Sequence, residues 1–205
     1  MENKKYKLTD ETIEVEGKIL YRIEALKDFG EIKKGDKGGF IESENNLAHE
    51  GDAWVSDDAC VYDNACVYEN ARVCGSASVC GNARVSDNAC VYGNASVCGN
   101  ACVSDNTCVS DNACVSDNAC VYGSTSVCGD AEISTDADYI VFKNWWSSGR
   151  YFTWTRSNNM WSVGCFYCTG EELIKKAYQY SEKSGREYER VVKYIEEIKK
   201  ENYGK

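Results

Sequence analysis

Proline is absent from all 205 residues, histidine occurs once and methionine twice. Set beside abundant lysine, asparagine, tyrosine and isoleucine, the missing proline points by association to an AT-rich bacterial or phage genome. No window reaches the roughly 18 apolar residues that a membrane-spanning helix needs. The opening residues (MENKKYKLTDETIEVEG) carry no apolar leader either. The expectation is a cytoplasmic protein with no membrane partner. Basic residues are scarce in the middle of the chain, where residues 51–138 hold two against thirteen carboxylates. That excludes the basic footprint on which direct nucleic-acid binding depends. Residues 1–50 hold nine cations against twelve carboxylates, and residues 139–205 twelve against eight. The net charge of −10 therefore belongs to the middle of the chain.

That middle is a repeat. Valine recurs at every sixth position from Val55 to Val127, and Ile133 continues the series. Two residues before each stands alanine, from Ala53 to Ala131, with Thr107 and Thr125 as exceptions. Three residues after most valines comes asparagine, usually preceded by Asp or Gly. Residues two apart in a strand share a face, so alanine and valine turn inward together. The Asp-Asn or Gly-Asn pair bends the chain, because Asn and Gly tolerate positive φ at low cost. One hexad makes one side of a triangular prism, and three sides close a coil of 18 residues. Successive coils stack about 4.8 Å apart. Each valine removed from water contributes about 1.5 kcal/mol. A pentapeptide solenoid is excluded, because a five-residue period fails after one repeat.

Thirteen cysteines would suggest a disulfide framework in a small secreted domain. Here the count is odd, and most fall on the six-residue grid. Reduced thiols acting as small side chains are the expectation. Stacking pairs Cys80 with Cys98, Cys90 with Cys108 and Cys102 with Cys120 at about 4.8 Å, longer than the roughly 3.8 Å Cβ spacing of a disulfide.

From Gly51 to Ser134 this spacing resembles the hexapeptide-repeat family, many of whose members are trimeric acyltransferases. The resemblance implies a left-handed parallel β-helix of about five coils. It also implies side-by-side association, with a homotrimer favoured. The expected architecture is mainly β, in three segments: strands and a cap over residues 1–50, the β-helix over 51–138, and an aromatic-rich module over 139–205. Residues 4–24 should form short antiparallel strands turning at Asp10-Glu11 and Glu16-Gly17. Ile41 and Leu47 fall on the alanine register and should plug the first coil. The hairpin from Tyr151 to Phe166 should turn at Ser157-Asn158-Asn159. Capping boxes at Thr169–Glu172 and Ser184–Glu187 should open two helices.

The family's enzymes use a histidine base near a subunit groove. This chain offers only His49, on the valine register within the capping coil, and no loop interrupts the hexads. Catalysis by His49 competes with a plain packing role, and the enzyme reading loses ground to it. Cys165 and Cys168 form a CxxC without a second ligand pair, which weakens a metal or redox reading against a structural one. Asp57, Asp63, Glu69, Asp87, Asp105, Asp111 and Asp117 form an acidic lattice along the corners. It reads as a solvated turn surface or as mimicry of a nucleic-acid backbone. Trp145, Trp146, Tyr151, Trp154 and Trp161, with Arg150 and Arg156 among them, have the composition of a binding surface. A compact core beneath the helices is the alternative, and it is slightly favoured. No cofactor is expected.

The two ends, RIEALKDFG…KKGDKGGFIESENNLAHEGDAWV and FTWTRSNNMWSVGCFYCTGEELIKKAY, are similar to bacteriophage and prophage proteins. The resemblance carries no settled activity; the expectation is a non-enzymatic interaction protein acting in the host cytoplasm as an anti-defence factor. It would bind a host protein or sequester a small nucleotide. A trimeric acyltransferase using acyl-CoA and a structural or assembly component are the alternatives.

Overall fold

The computed structural model describes residues 4–203. The chain opens with an antiparallel hairpin, β1 (Tyr6–Val15) and β2 (Lys18–Ala25), closed by Glu16 and Gly17 at positive φ. The turn expected at Asp10-Glu11 does not form. Those residues lie within β1, where pairing passes from Leu8↔Ile23 to Thr12↔Tyr21 and leaves three residues opposite Arg22. The bulge delivers the Glu11 carboxylate to Arg22 (2.6 Å) and Lys37 (2.9 Å), and that pairing replaces a turn. Strand β3 (Lys37–Ile41) pairs with β2 and then lies parallel to the first rungs of the repeat.

Fourteen two-residue strands follow at six-residue intervals, from β4 (Trp54–Val55) and β5 (Cys60–Val61) to β16 (Ser126–Val127) and β17 (Glu132–Ile133). They stack in register, Val61 on Val79 and Val91 on Val109, into three parallel sheets. The protein is mainly β, a three-sided parallel β-solenoid of about five coils. Its interior is the expected one: every grid valine is fully buried, and the alanine-register residues are at most 1% exposed. All thirteen cysteines are free thiols, with Cys90 on Cys108 and Cys102 on Cys120 in neighbouring rungs.

The first coil departs from the expected register. Ile41 pairs with Val61 and Leu47 with Val67, an offset of 20 residues, whereas Trp54 pairs with Arg72 at the regular 18. Ile41 and Leu47 are fully buried and do plug the end, but over valines rather than alanines. The two extra residues lie in the corner between Leu47 and Trp54. His49 therefore sits in an enlarged corner, not in the valine column. A fixed period cannot reveal an insertion beyond the repeat it was read from.

After a short turn the chain builds a four-stranded antiparallel sheet: β18 (Tyr139–Lys143), β19 (Tyr151–Thr155), β20 (Met160–Val163) and β21 (Phe166–Cys168), paired in chain order. The β19–β20 turn falls at residues 156–159 as expected. Helices α1 (Gly170–Tyr180) and α2 (Glu182–Tyr203) pack over this sheet. Thr169 and Glu172 form the expected capping box of α1. The second box does not stand at Ser184, which lies inside α2. Ser181, the only residue between the helices, instead accepts the Ser184 N–H (3.1 Å). The helix thus starts one turn earlier than the expected box, with Ser181 as its cap. No described helix is long and apolar enough to cross a membrane.

Candidate functional site in the C-terminal module

The corner carboxylates have a structural task. Asp57, Asp63, Glu69, Asp87, Asp105, Asp111 and Asp117 all adopt left-handed backbone, with φ between 54° and 60°. That conformation costs an ordinary L-residue about 1–2 kcal/mol. Six of the seven offset the cost by reaching one coil ahead. Asp57, Asp63, Asp105 and Asp111 accept the N–H of Gly75, Gly81, Gly123 and Gly129, and Glu69 and Asp87 accept those of Asp87 and Asp105, at 2.8–3.3 Å. Asp63 also pairs with Lys18, and these partners hold its carboxyl below the usual carboxylate range. Beside them runs an asparagine ladder, in which Asn64 donates to Asn82, Asn82 to Asn100 and Asn100 to Asn118 (2.9–3.1 Å). The lattice is a set of clamps between coils.

His49 is likewise engaged. Its ring stacks on Tyr6 at 4.3 Å, and its Nδ1 accepts the Lys5 backbone N–H (3.3 Å). Its Nε2 is shut away from solvent, 3.7 Å from Glu44 Oε2. One ring nitrogen is thus engaged and the other buried. The hollow beside it, about 810 Å³, is lined by charges of both signs, among them Lys4 and Glu44, which pair at 2.7 Å. In the CxxC, Cys165 is exposed in a turn, while burial pushes the Cys168 thiol up to about 12. Among the described residues no group of three or more His, Cys, Asp or Glu side chains could hold a metal ion.

The aromatic candidates divide. Trp146, Trp154 and Trp161 are core, packed with Phe152, Leu173, Tyr188 and Ile195 between sheet and helices. Trp154 donates its indole N–H to Asn159 (3.0 Å). Trp145 and Tyr151 face solvent, 73% and 43% exposed. Arg156 pairs with Asp138 (3.3 Å) at the joint with the solenoid, and Arg150 reaches into a cleft. That cleft, of about 620 Å³, lies between the turn after β18 and the two helices. Val163, Leu173, Ala177 and Tyr188 give it an apolar floor, Arg150 and Lys176 supply two cations, and among the described residues no carboxylate lines it. Asn144 braces its wall: its Nδ2 donates to the Tyr188 hydroxyl (3.1 Å), and its Oδ1 accepts from Ser147 N and Oγ (3.0 Å). The buried indole N–H of Trp146, whose ring meets Tyr188 edge-on at 5.1 Å, has no acceptor among the described residues. Tyr180, 80% exposed, stands at the mouth.

A family model described as the YdcK beta solenoid repeat matches residues 77–93 and 83–99. The two matches are offset by six residues, one hexad, and both lie in the solenoid interior. No curated protein matches the chain. The similarity thus concerns the rod and leaves the cleft to be read from its own residues. Sequence reasoning found Arg150 but missed Lys176, Asn144 and Tyr188, which come from separate elements with no shared spacing.

Proposed function

We propose that this is a non-enzymatic binding protein whose C-terminal module holds a small anionic ligand with an aromatic ring, of the nucleotide class. One observation carries the reading. In a chain of net charge −10, a cleft of about 620 Å³ gathers Arg150 and Lys176 with no opposing carboxylate among the described residues. Its volume lies within the range of about 300–1,000 Å³ usual for small-molecule sites. The cations suit phosphate or carboxylate, while Tyr188 and the exposed Tyr180 suit a flat ring. The solenoid is then a rigid stem. Consistent with the resemblance to phage proteins, the expected role is withholding such a ligand from a host system, and the resemblance to the hexapeptide family makes a trimer the expected assembly.

The test is a thermal-shift and calorimetric titration with nucleoside mono- and diphosphates, cyclic nucleotides and acetyl-CoA. A nucleotide should raise the melting temperature, and Arg150→Ala and Lys176→Ala should each weaken binding at least tenfold. A shift that survives both substitutions would overturn the reading. So would an acetyl-CoA shift that disappears in His49→Ala, which would favour acyl transfer. Light scattering checks the trimer.

A further inference from the structure

Strand β18 ends its sheet, with β19 on one side and no strand on the other among the described residues. Tyr139–Lys143 pairs with Thr155–Tyr151, and flanking bonds from Arg156 N to Asp138 O and Asn144 N to Arg150 O (both 2.8 Å) fix the phase of the ladder. Hydrogen-bonded and non-hydrogen-bonded pairs alternate in an antiparallel ladder. Ile140 and Phe142 therefore bond to β19, while Tyr139, Val141 and Lys143 aim their backbone N–H and C=O groups outward. Among the described residues only the Lys143 carbonyl is taken up locally, by Trp145 N (2.9 Å). The run Tyr-Ile-Val-Phe is β-prone and only partly buried. Natural edges are usually blunted by charge, proline or a bulge. Here the single charge is Lys143, at the far end, with its ammonium laid over the Tyr151 ring at 5.4 Å.

A groove of about 590 Å³ runs beside this edge. Tyr139, Val141 and Tyr151 line one side, and Asp105, Tyr122 and Asp136 the other; among the described residues no Lys or Arg lines it. Asp105 and Asp136 are tied to the solenoid through the N–H groups of Gly123 and Cys120 (both 2.8 Å), which fixes their positions while their charge remains. Tyr122, 58% exposed, offers a ring for a cationic stem.

We propose that the outer edge of β18 takes up an extended basic segment of a partner protein as an added strand. The open N–H and C=O groups of Tyr139 and Val141 supply main-chain bonds, and Asp105 and Asp136 select lysine or arginine at alternate positions. The surface is separate from the cleft of the C-terminal module, so either assignment can fail alone.

The probe is a fluorescein-labelled nonapeptide alternating lysine and valine, followed by anisotropy and by amide hydrogen exchange of the full-length protein. Binding should slow exchange at Val141 and Lys143, and a glutamate-for-lysine peptide should bind at least tenfold more weakly. Val141→Pro removes an edge donor that the β18–β19 ladder does not use, and should weaken binding at least tenfold. The isosteric pair Asp105→Asn and Asp136→Asn should lower affinity and flatten its salt dependence. A probe N-methylated at alternate residues keeps every charge but loses the main-chain bonds, with no change to the protein. If that probe binds as well as the parent, or if protection appears elsewhere or nowhere, the added-strand proposal is wrong.

Discussion

At its first coil the solenoid presents carbonyl oxygens, at its last coil N–H groups, and the two ends are closed by different chemistry. Each rung donates forward along the stack, as Cys90 N does to Thr107 O (2.9 Å), so the surplus at each end has a fixed sign. The N-terminal end is closed by donors and by apolar bulk. Lys5 Nζ reaches Ala53 O (2.8 Å) and Gly51 O (3.3 Å), Asn46 Nδ2 reaches Ala65 O (2.9 Å), and Leu47 and Ile41 seal the core. The C-terminal end is closed by acceptors, one for each wall. Asp136 Oδ1 takes Cys120 N (2.8 Å), Thr153 Oγ1 takes Ser126 N (3.1 Å), and Ser157 Oγ takes Glu132 N (2.7 Å). A parallel stack cannot use the same cap twice, because its two ends are not mirror images.

The largest effect expected from this difference is at the N-terminal plug. Leu47→Ala should cost about 2–5 kcal/mol in chemical denaturation, since a fully buried side chain leaves a cavity. At the other end, Gly129 has φ +66° and lies against the Tyr167 hydroxyl. Gly129→Ala should cost about 1–3 kcal/mol and speed amide exchange in β19–β21, leaving the first coils unchanged. Equal acceleration at both ends would show that the caps are not independent. Thr153→Val keeps shape but deletes one acceptor, and should cost about 1 kcal/mol, with faster exchange at Ser126.

The most discriminating effect is with pH. Burial lowers Lys5 from 10.5 to about 8 and raises Cys168 from 9.0 to about 12. Between pH 8 and 10.5 the folded chain holds fewer protons at Lys5 than the unfolded chain, so that contribution grows as pH rises. At Cys168 the reverse holds: its contribution is complete below pH 9 and fades as pH climbs toward 12. The melting temperature of the wild type should therefore gain on that of Lys5→Met from pH 8 to 10, and lose ground to that of Cys168→Ala from pH 9 to 11. Parallel shifts in both comparisons would contradict the opposite directions in which burial moves the two groups.

Much of the rod is legible without coordinates. Val55 through Val127 needed only a six-residue period and the two-residue alternation of a strand to be placed inside. The corner acids were visible as a lattice, but not as clamps, because the N–H that each accepts lies one coil away. His49 was misplaced by an insertion that periodicity cannot register. The aromatic cluster had the right composition for either a core or a surface. Packing divides it, with Trp146, Trp154 and Trp161 inward and Trp145 and Tyr151 outward.

The amino-acid order alone determines the three-walled tube, because each hexad repeats the same local choice and needs only its neighbours to bury it. The ends, the cleft around Arg150 and Lys176, and the open edge of β18 were decided by tertiary structure. There the partners are far apart in the chain, follow no period, and meet only once the stack has stopped.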